Sequence, residues 1–187
     1  MILNGDVVVE EINKELTGKI EELKKHDVFP TIALVRVGER FSDIAYEAMI
    51  IRTCKTLGIE TRMFRFASDV RQVKLIDCLE AINEDDDIHG ALVFMPLPKN
   101  LDEDAVRNAL DPKKDLDGIT DGALAGMISK DYKGYPPCTA VGCIDMLDHY
   151  GIGIEGKKAV VIGRSKVIGE PAALLLTSRN ATGSPIT

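Results

Sequence analysis

No apolar run in this 187-residue chain approaches the roughly 20 residues that a membrane helix needs, so the sequence does not read as bilayer-spanning. Positive charge is short as well: 30 acidic residues outnumber 23 basic ones, for a formal net charge of −7. That balance argues against duplex nucleic acid as a partner, because phosphate binding needs a positive footprint. A small anionic ligand, which needs only a local site, stays open. The cysteines are few, and Cys54, Cys78, Cys138 and Cys143 show neither zinc-ligand spacing nor a Cys-x-x-Cys pair, so no metal site is expected. The amino terminus, MILNGDVVVEEINKEL, has no basic stretch leading into an apolar one; a secretory signal is not expected, and reduced thiols in a cytoplasm are. What is present, 45% hydrophobic and 28% charged residues, is ordinary globular composition, long enough for one domain or one domain plus part of a second.

The hydrophobic period switches repeatedly between helix and strand. Val8, Ile12, Leu16, Ile20 and Leu23 share one helical face. Pro30 opens TIALVRV, a β-branched run that ends at Gly38. A helix is predicted from about Asp43 to Leu57, stopping where Gly58 offers a C-cap. IETRMFRF alternates like a strand, and Ser68 and Asp69 are predicted to cap a helix carrying Val73, Ile76, Leu79 and Ile82. GALVFM reads as a buried strand halted by Pro96 and Pro98, and Asp102 starts a short helix through Ala109. Strands and helices alternating with short connections predict an α/β fold: a parallel sheet with helices on both faces, in three layers.

Between Asp111 and Pro137 the pattern weakens, and KKDLDGITDGALAGM and SKDYKGYPP read as loops. Thr139 is predicted to cap a helix to about Tyr150, after which KAVVIG and RSKVIGEPAALLL read as one strand, a turn and one helix. A domain boundary is therefore expected at 150/151. One βα pair cannot bury its own sheet, so the second domain, 151–187, is expected to be cut short in this chain.

Three places carry candidate chemistry. The turn from Gly163 through Arg164 and Ser165 to Gly169 joins a strand to a helix with small residues, which lets backbone N–H groups approach a pyrophosphate; such turns also occur in α/β proteins that bind no nucleotide. Lys114-Asp115-Leu116-Asp117-Gly118 either projects a carboxylate into a cleft or is a solvated turn. Pro96-Leu97-Pro98 ends a strand, and so either borders a ligand crevice at the sheet's carboxyl edge or simply terminates the ladder.

Taken in order, PTIALVRVG before a tyrosine-bearing helix, HGALVFMPLP, PKKDLDG, YPPCTAVGC and GRSKVIGEP followed by LLL and RNAT resemble the methylenetetrahydrofolate dehydrogenase/cyclohydrolase family. The likeness runs to about Thr182. It implies a folate-binding domain over 1–150, a Rossmann-like dinucleotide domain beginning at 151, a cleft between them, a homodimer and a cytosolic pathway. It also implies that Tyr46, Val93, Pro96, Leu97, Pro98 and Asp117 bind the folate, with Tyr46 and Asp117 serving catalysis. Thr139, Gly163, Arg164, Ser165, Gly169 and Pro171 would bind NADP or NAD, with Arg164 matching the arginine that meets a 2′-phosphate in NADP-using members.

Two positions depart from the family's pattern. Ile50 stands where the helix motif Tyr-Val-x-x-Lys has its cyclohydrolase lysine, and Phe94 stands where the strand has the glutamine that holds it; alanine at Ala140 also replaces a usual proline. Dehydrogenation needs alignment of a hydride donor and acceptor and no proton from a lysine. Hydrolysis of the methenyl cation needs general acid–base chemistry that isoleucine and phenylalanine do not provide. Arg52 and Lys55 fall about 200° and 140° around the helix from Ile50 and are predicted to point elsewhere. A dehydrogenase with lost or weak cyclohydrolase activity is the leading expectation. The alternatives are a bifunctional enzyme using another acid–base group and a non-catalytic folate-binding protein.

Overall fold

The computed structural model describes residues 2–129, 134–180 and 182–186; the expected loop over SKDYKGYPP falls partly on 130–133, outside the described residues. Packing divides the chain into two units, residues 12–114 in one and 1–11 with 115–187 in the other.

In the first unit, the helix α1 (Gly5–Lys25), which starts in the other unit, leads into β1 (Thr31–Val37), α2 (Phe41–Leu57), β2 (Glu60–Phe66), α3 (Gln72–Glu84), β3 (Gly90–Val93) and α4 (Glu103–Asn108). The three strands are parallel in the order β2-β1-β3. β1 is central, and it is buried almost throughout because helices cover both faces, as its unbroken apolar run requires. Ala33, Val35 and Val37 pack with Leu75, Leu79 and Ile82 of α3 and Val106 of α4; Leu34, Leu92 and Phe94 on the opposite face pack with Ile50 and Ile51 of α2. Three layers result, as expected.

Element edges shift for local reasons. α2 begins two residues before Asp43 and ends at Gly58, whose φ of 79° lets its N–H reach the carbonyls of Cys54 and Lys55. Ser68 and Asp69 do not cap α3: the Val70 N–H first closes a turn onto Ala67 O, and the helix starts behind Arg71 without a side-chain cap. Its buried face is Leu75, Leu79 and Ile82, while Val73 is exposed. β3 stops at Val93, although the Phe94 N–H still donates to Val35 O. α4 starts as predicted, with the Asp102 side chain accepting from the Ala105 N–H.

The second unit holds α5 (Asp121–Ser129), α6 (Cys138–His149), β4 (Lys158–Ile162), α7 (Gly169–Ser178) and β5 (Thr182–Ile186). α5 lies where a loop was expected. Its ALAGM stretch has no polar spacing to betray a helix, and its cap is built at a distance: Thr120 Oγ1 accepts from Ala123 N, and buried Asp115 holds the Thr120 N–H at 2.7 Å. Thr139 is not a cap, because α6 already begins at Cys138 behind Pro137, whose carbonyl accepts from Ala140 and Val141. β5 pairs in parallel with β4, one strand more than the expected βα pair. The packing break lies at 114/115, away from 150/151. Tyr150 exchanges hydrogen bonds with Asn4 at 2.9 and 3.0 Å and His149 meets Glu11 at 2.9 Å, so α6 groups with the amino terminus and with the 115–129 segment.

Candidate active site

In the first unit, the carboxyl ends of the parallel strands open onto clefts, the usual ligand side of such a sheet. One of about 380 Å³ is bordered by Val37, Gly38, Ser68 and the Pro96-Leu97-Pro98 turn. Leu97 is buried in the core and its N–H donates to Glu103 Oε1 at 2.8 Å, which anchors the turn while Pro96 stays exposed.

Tyr46 projects from α2 and is 45% exposed, and its ring meets the buried Phe94 ring edge to face. Ile50, one turn along α2, packs against the same Leu34, Leu92 and Phe94 cluster. Val93, expected beside them, is instead buried in the core on the opposite face of the sheet, because neighbouring strand residues alternate faces. Tyr46, Ile50 and Phe94 are thus brought together, and the surface below the tyrosine is apolar. Arg52 and Lys55 are exposed on α2.

Beside Tyr46 lies a charged cluster that sequence reading missed. Glu47 is buried, with Oε2 accepting from Arg36 Nε at 2.9 Å and Oε1 accepting from Arg65 Nε at 3.0 Å and Nη2 at 2.6 Å. Arg36 also donates to Gly38 O. Burial alone would raise the Glu47 carboxyl, but the hydrogen bonds and charges of Arg65 and Arg36 outweigh it and hold the group below the usual carboxylate range. The available signal was an arginine inside the otherwise apolar TIALVRV strand, which needs a counter-charge when buried.

In the second unit, Gly118 has φ +64°, and a Cβ there would stand 2.5 Å from Tyr135 O and 2.6 Å from Pro136 C and Pro137 N. This close approach sets the 115–118 loop against the start of α6, where Cys138 Sγ donates to Asp117 Oδ1 at 3.4 Å. Burial pushes the Asp117 carboxyl up; the thiol hydrogen bond lowers it and neighbouring Asp115 raises it, leaving it above the ordinary aspartate range. Burial and the Asp117 charge likewise push up the Cys138 thiol. Thr139 is exposed in the first turn of α6.

The β4-to-α7 turn folds tightly on itself. A Cβ on Gly169 would lie 2.5 Å from Gly163 O, so only glycine fits the crossing. Ser165 Oγ accepts from the N–H groups of Ile168 at 3.1 Å and Gly169 at 3.3 Å, and buried Pro171 continues the helix. Gly163, at φ +127°, has nothing within 4 Å of a Cβ position, so open space lies against its backbone. Arg164 is exposed beside it. Among the described residues no group of His, Cys, Asp or Glu is arranged to hold a metal ion, and no helix is long and apolar enough to cross a membrane.

Residues 3–117 match the family model for the tetrahydrofolate dehydrogenase/cyclohydrolase catalytic domain, and residues 137–186 match that for its NAD(P)-binding domain. Similar curated proteins include the bifunctional protein FolD of Alkaliphilus oremlandii, 42% identical over 97% of this chain and 64% of its own length. That of Clostridioides difficile is 36% identical over 97% and 63%. The chain spans just under two thirds of the length of these relatives. Among solved structures, the bifunctional FolD enzyme of Campylobacter jejuni superposes with a TM-score of 0.96 at 30% identity, covering 99% of this chain and 66% of that one. A Trypanosoma brucei dehydrogenase-cyclohydrolase complexed with NADP cofactor and inhibitor gives 0.92 at 25% identity, covering 100% and 64%.

Proposed function

This chain belongs to the tetrahydrofolate dehydrogenase/cyclohydrolase family, and we propose that it oxidises 5,10-methylenetetrahydrofolate to the 5,10-methenyl form with NADP+ or NAD+, while hydrolysing that product slowly or not at all. The observation that carries this reading is the packing of Ile50 and Phe94 into one apolar cluster under the Tyr46 ring.

Bound nicotinamide dinucleotide supplies the hydride acceptor. The residues at the β4-to-α7 turn fit such a group: the open backbone at Gly163 and the small Ser165 leave room for a pyrophosphate, and exposed Arg164 suits a 2′-phosphate. Exposed Thr139 completes the proposed dinucleotide contacts, while buried Pro171 shapes the start of α7 behind the turn. Tyr46, Pro96, Leu97 and Pro98 form the folate side, Val93 supports it from within the core through the strand backbone, and Asp117 accepts a hydrogen bond from the pterin. Their part is alignment, which hydride transfer depends on.

Hydrolysis would demand a group that activates water and returns a proton to the departing ring nitrogen. Ile50 and Phe94 offer neither, and an apolar wall keeps water from the methenyl carbon. In this reading residues 1–150 serve the folate and 151–187 begin the dinucleotide domain, in a cytoplasmic homodimer. The test is a spectrophotometric assay with methylenetetrahydrofolate and each dinucleotide. Methenyl product accumulating one for one with reduced cofactor is the expected result; its prompt conversion to the formyl form overturns the proposal.

A further inference from the structure

The two halves of α2 rest on the sheet by different means. Ile32, Leu34 and Arg36 share the face of β1 that α2 covers, and parallel pairing sets Met63 and Arg65 of β2 beside Leu34 and Arg36. The surface under the helix is therefore apolar along most of its length and cationic at the carboxyl ends of the strands. The helix matches that change. Ile50 and Ile51 pack with Leu34, whereas Glu47, one turn nearer the amino end, meets Arg36 and Arg65. The buried residues of this first half are Asp43 and Glu47. Asp43 is bonded within its own helix end, by Arg40 Nε and Ser42 Oγ, so the tie from this half to the strands is Glu47.

Tyr46 directly precedes Glu47, and successive side chains leave a helix about 100° apart. One of the pair rests edge to face on Phe94, just past β3; the other reaches β1 and β2. Gripped on both flanks, this part of α2 cannot roll about its axis without breaking one contact. Apolar packing is non-directional and lets a helix slide, but a carboxylate with Oε2 on Arg36 and Oε1 on Arg65 fixes direction as well as distance. The motif Tyr-Val-x-x-Lys has valine where Glu47 stands, so the resemblance gives this residue no role.

We propose that Glu47 is a positioning residue for Tyr46: through Arg36 and Arg65 it sets the roll of α2, and with it the place of the tyrosine ring against the folate. The inference rests on the folate reading above. Glu47 itself touches neither substrate nor cofactor in that reading, and acts through the ring beside it.

The test is a double-mutant cycle between Glu47 and Tyr46, because coupling separates positioning from support of the fold. Glu47→Gln keeps the side chain's shape but loses its charge and turns an amide N–H toward an arginine. It is expected to lower kcat about tenfold through misalignment, with the dinucleotide KM unchanged. In a Tyr46→Ala background the same change has little effect, since no ring is left to place. Where Tyr46→Ala turns over too slowly to follow, the cycle is read on the Kd of tetrahydrofolate, which the same ring sets. Arg65→Met, at a half-exposed position, cuts the tie to β2 and leaves Arg36 paired with Glu47; it carries the cycle if Glu47→Gln unfolds, with a smaller loss that again disappears in Tyr46→Ala. Equal losses with and without the tyrosine, or an unchanged kcat in Glu47→Gln, overturn the positioning role and leave the folate reading intact. Inertness of the unchanged protein toward methylenetetrahydrofolate overturns the folate reading and this role with it.

Discussion

The Tyr46 ring meets Phe94 edge to face, with centroids 5.7 Å apart and planes inclined by 73°. An aromatic at position 94 therefore does two things. It supports the tyrosine proposed to face the pterin, and it occupies the space where a polar partner for an acid–base group would sit.

That double role sets the first prediction. Ile50→Lys alone gains little cyclohydrolase activity, because a lysine against Phe94 is desolvated and unoriented. Ile50→Lys with Phe94→Gln exceeds the sum of the single changes, recovering part of the roughly 10²–10⁴-fold that general acid–base catalysis contributes. The rate at which methenyl absorbance decays in the four proteins measures it.

Asp117 predicts a pH dependence. Its carboxyl is raised by burial, so the folded chain binds the proton more tightly than the unfolded one. Its contribution to stability is therefore full below the unfolded pKa and is lost as pH rises through the folded value. Pterin recognition runs the other way, since the charged acceptor forms only above the folded value. The acid limb of kcat/KM for folate is expected above the ordinary aspartate range, and Cys138→Ala moves it further up by removing the thiol hydrogen bond that lowers the group. A limb unmoved by Cys138→Ala counts against this assignment.

Gly118→Ala places a Cβ 2.5 Å from Tyr135 O at a φ of +64°. The strain, on the order of 1–3 kcal/mol, is expected to lower Tm by several degrees. It also pushes the Asp117 loop away from Cys138, so folate KM rises with little change in dinucleotide KM. Thermal melts and paired KM measurements check both halves.

Glu47→Ala leaves the buried Arg36 guanidinium without its carboxylate, and breaking such a pair costs about 3–5 kcal/mol. Arg36→Leu with Glu47→Val is expected to recover most of that loss, since an apolar pair of similar volume replaces the ions. Because the Glu47 carboxyl is held low, its contribution is present above the unfolded pKa and fades as pH falls through the folded one. Denaturant unfolding of the wild-type protein and both variants, near neutral and at acid pH, gives the comparison.

Much of the fold was legible because it is written in local periodicity. TIALVRV, IETRMFRF and the Leu75, Leu79 and Ile82 spacing each announce an element that needs an apolar partner face, and Gly58 marks its helix end by a φ that other residues rarely adopt. The family motifs also placed Tyr46, Ile50 and Phe94 in sequence. What only the tertiary structure decided depends on groups distant along the chain. α5 is capped through Asp115 and Thr120 rather than by its own apolar period. The amino-terminal residues 1–11 join the second unit through contacts with His149 and Tyr150, which no local pattern encodes. Glu47 acquires its role only when β1 and β2 align Arg36 with Arg65, because a charge's partner is set by strand register and not by its neighbours in sequence.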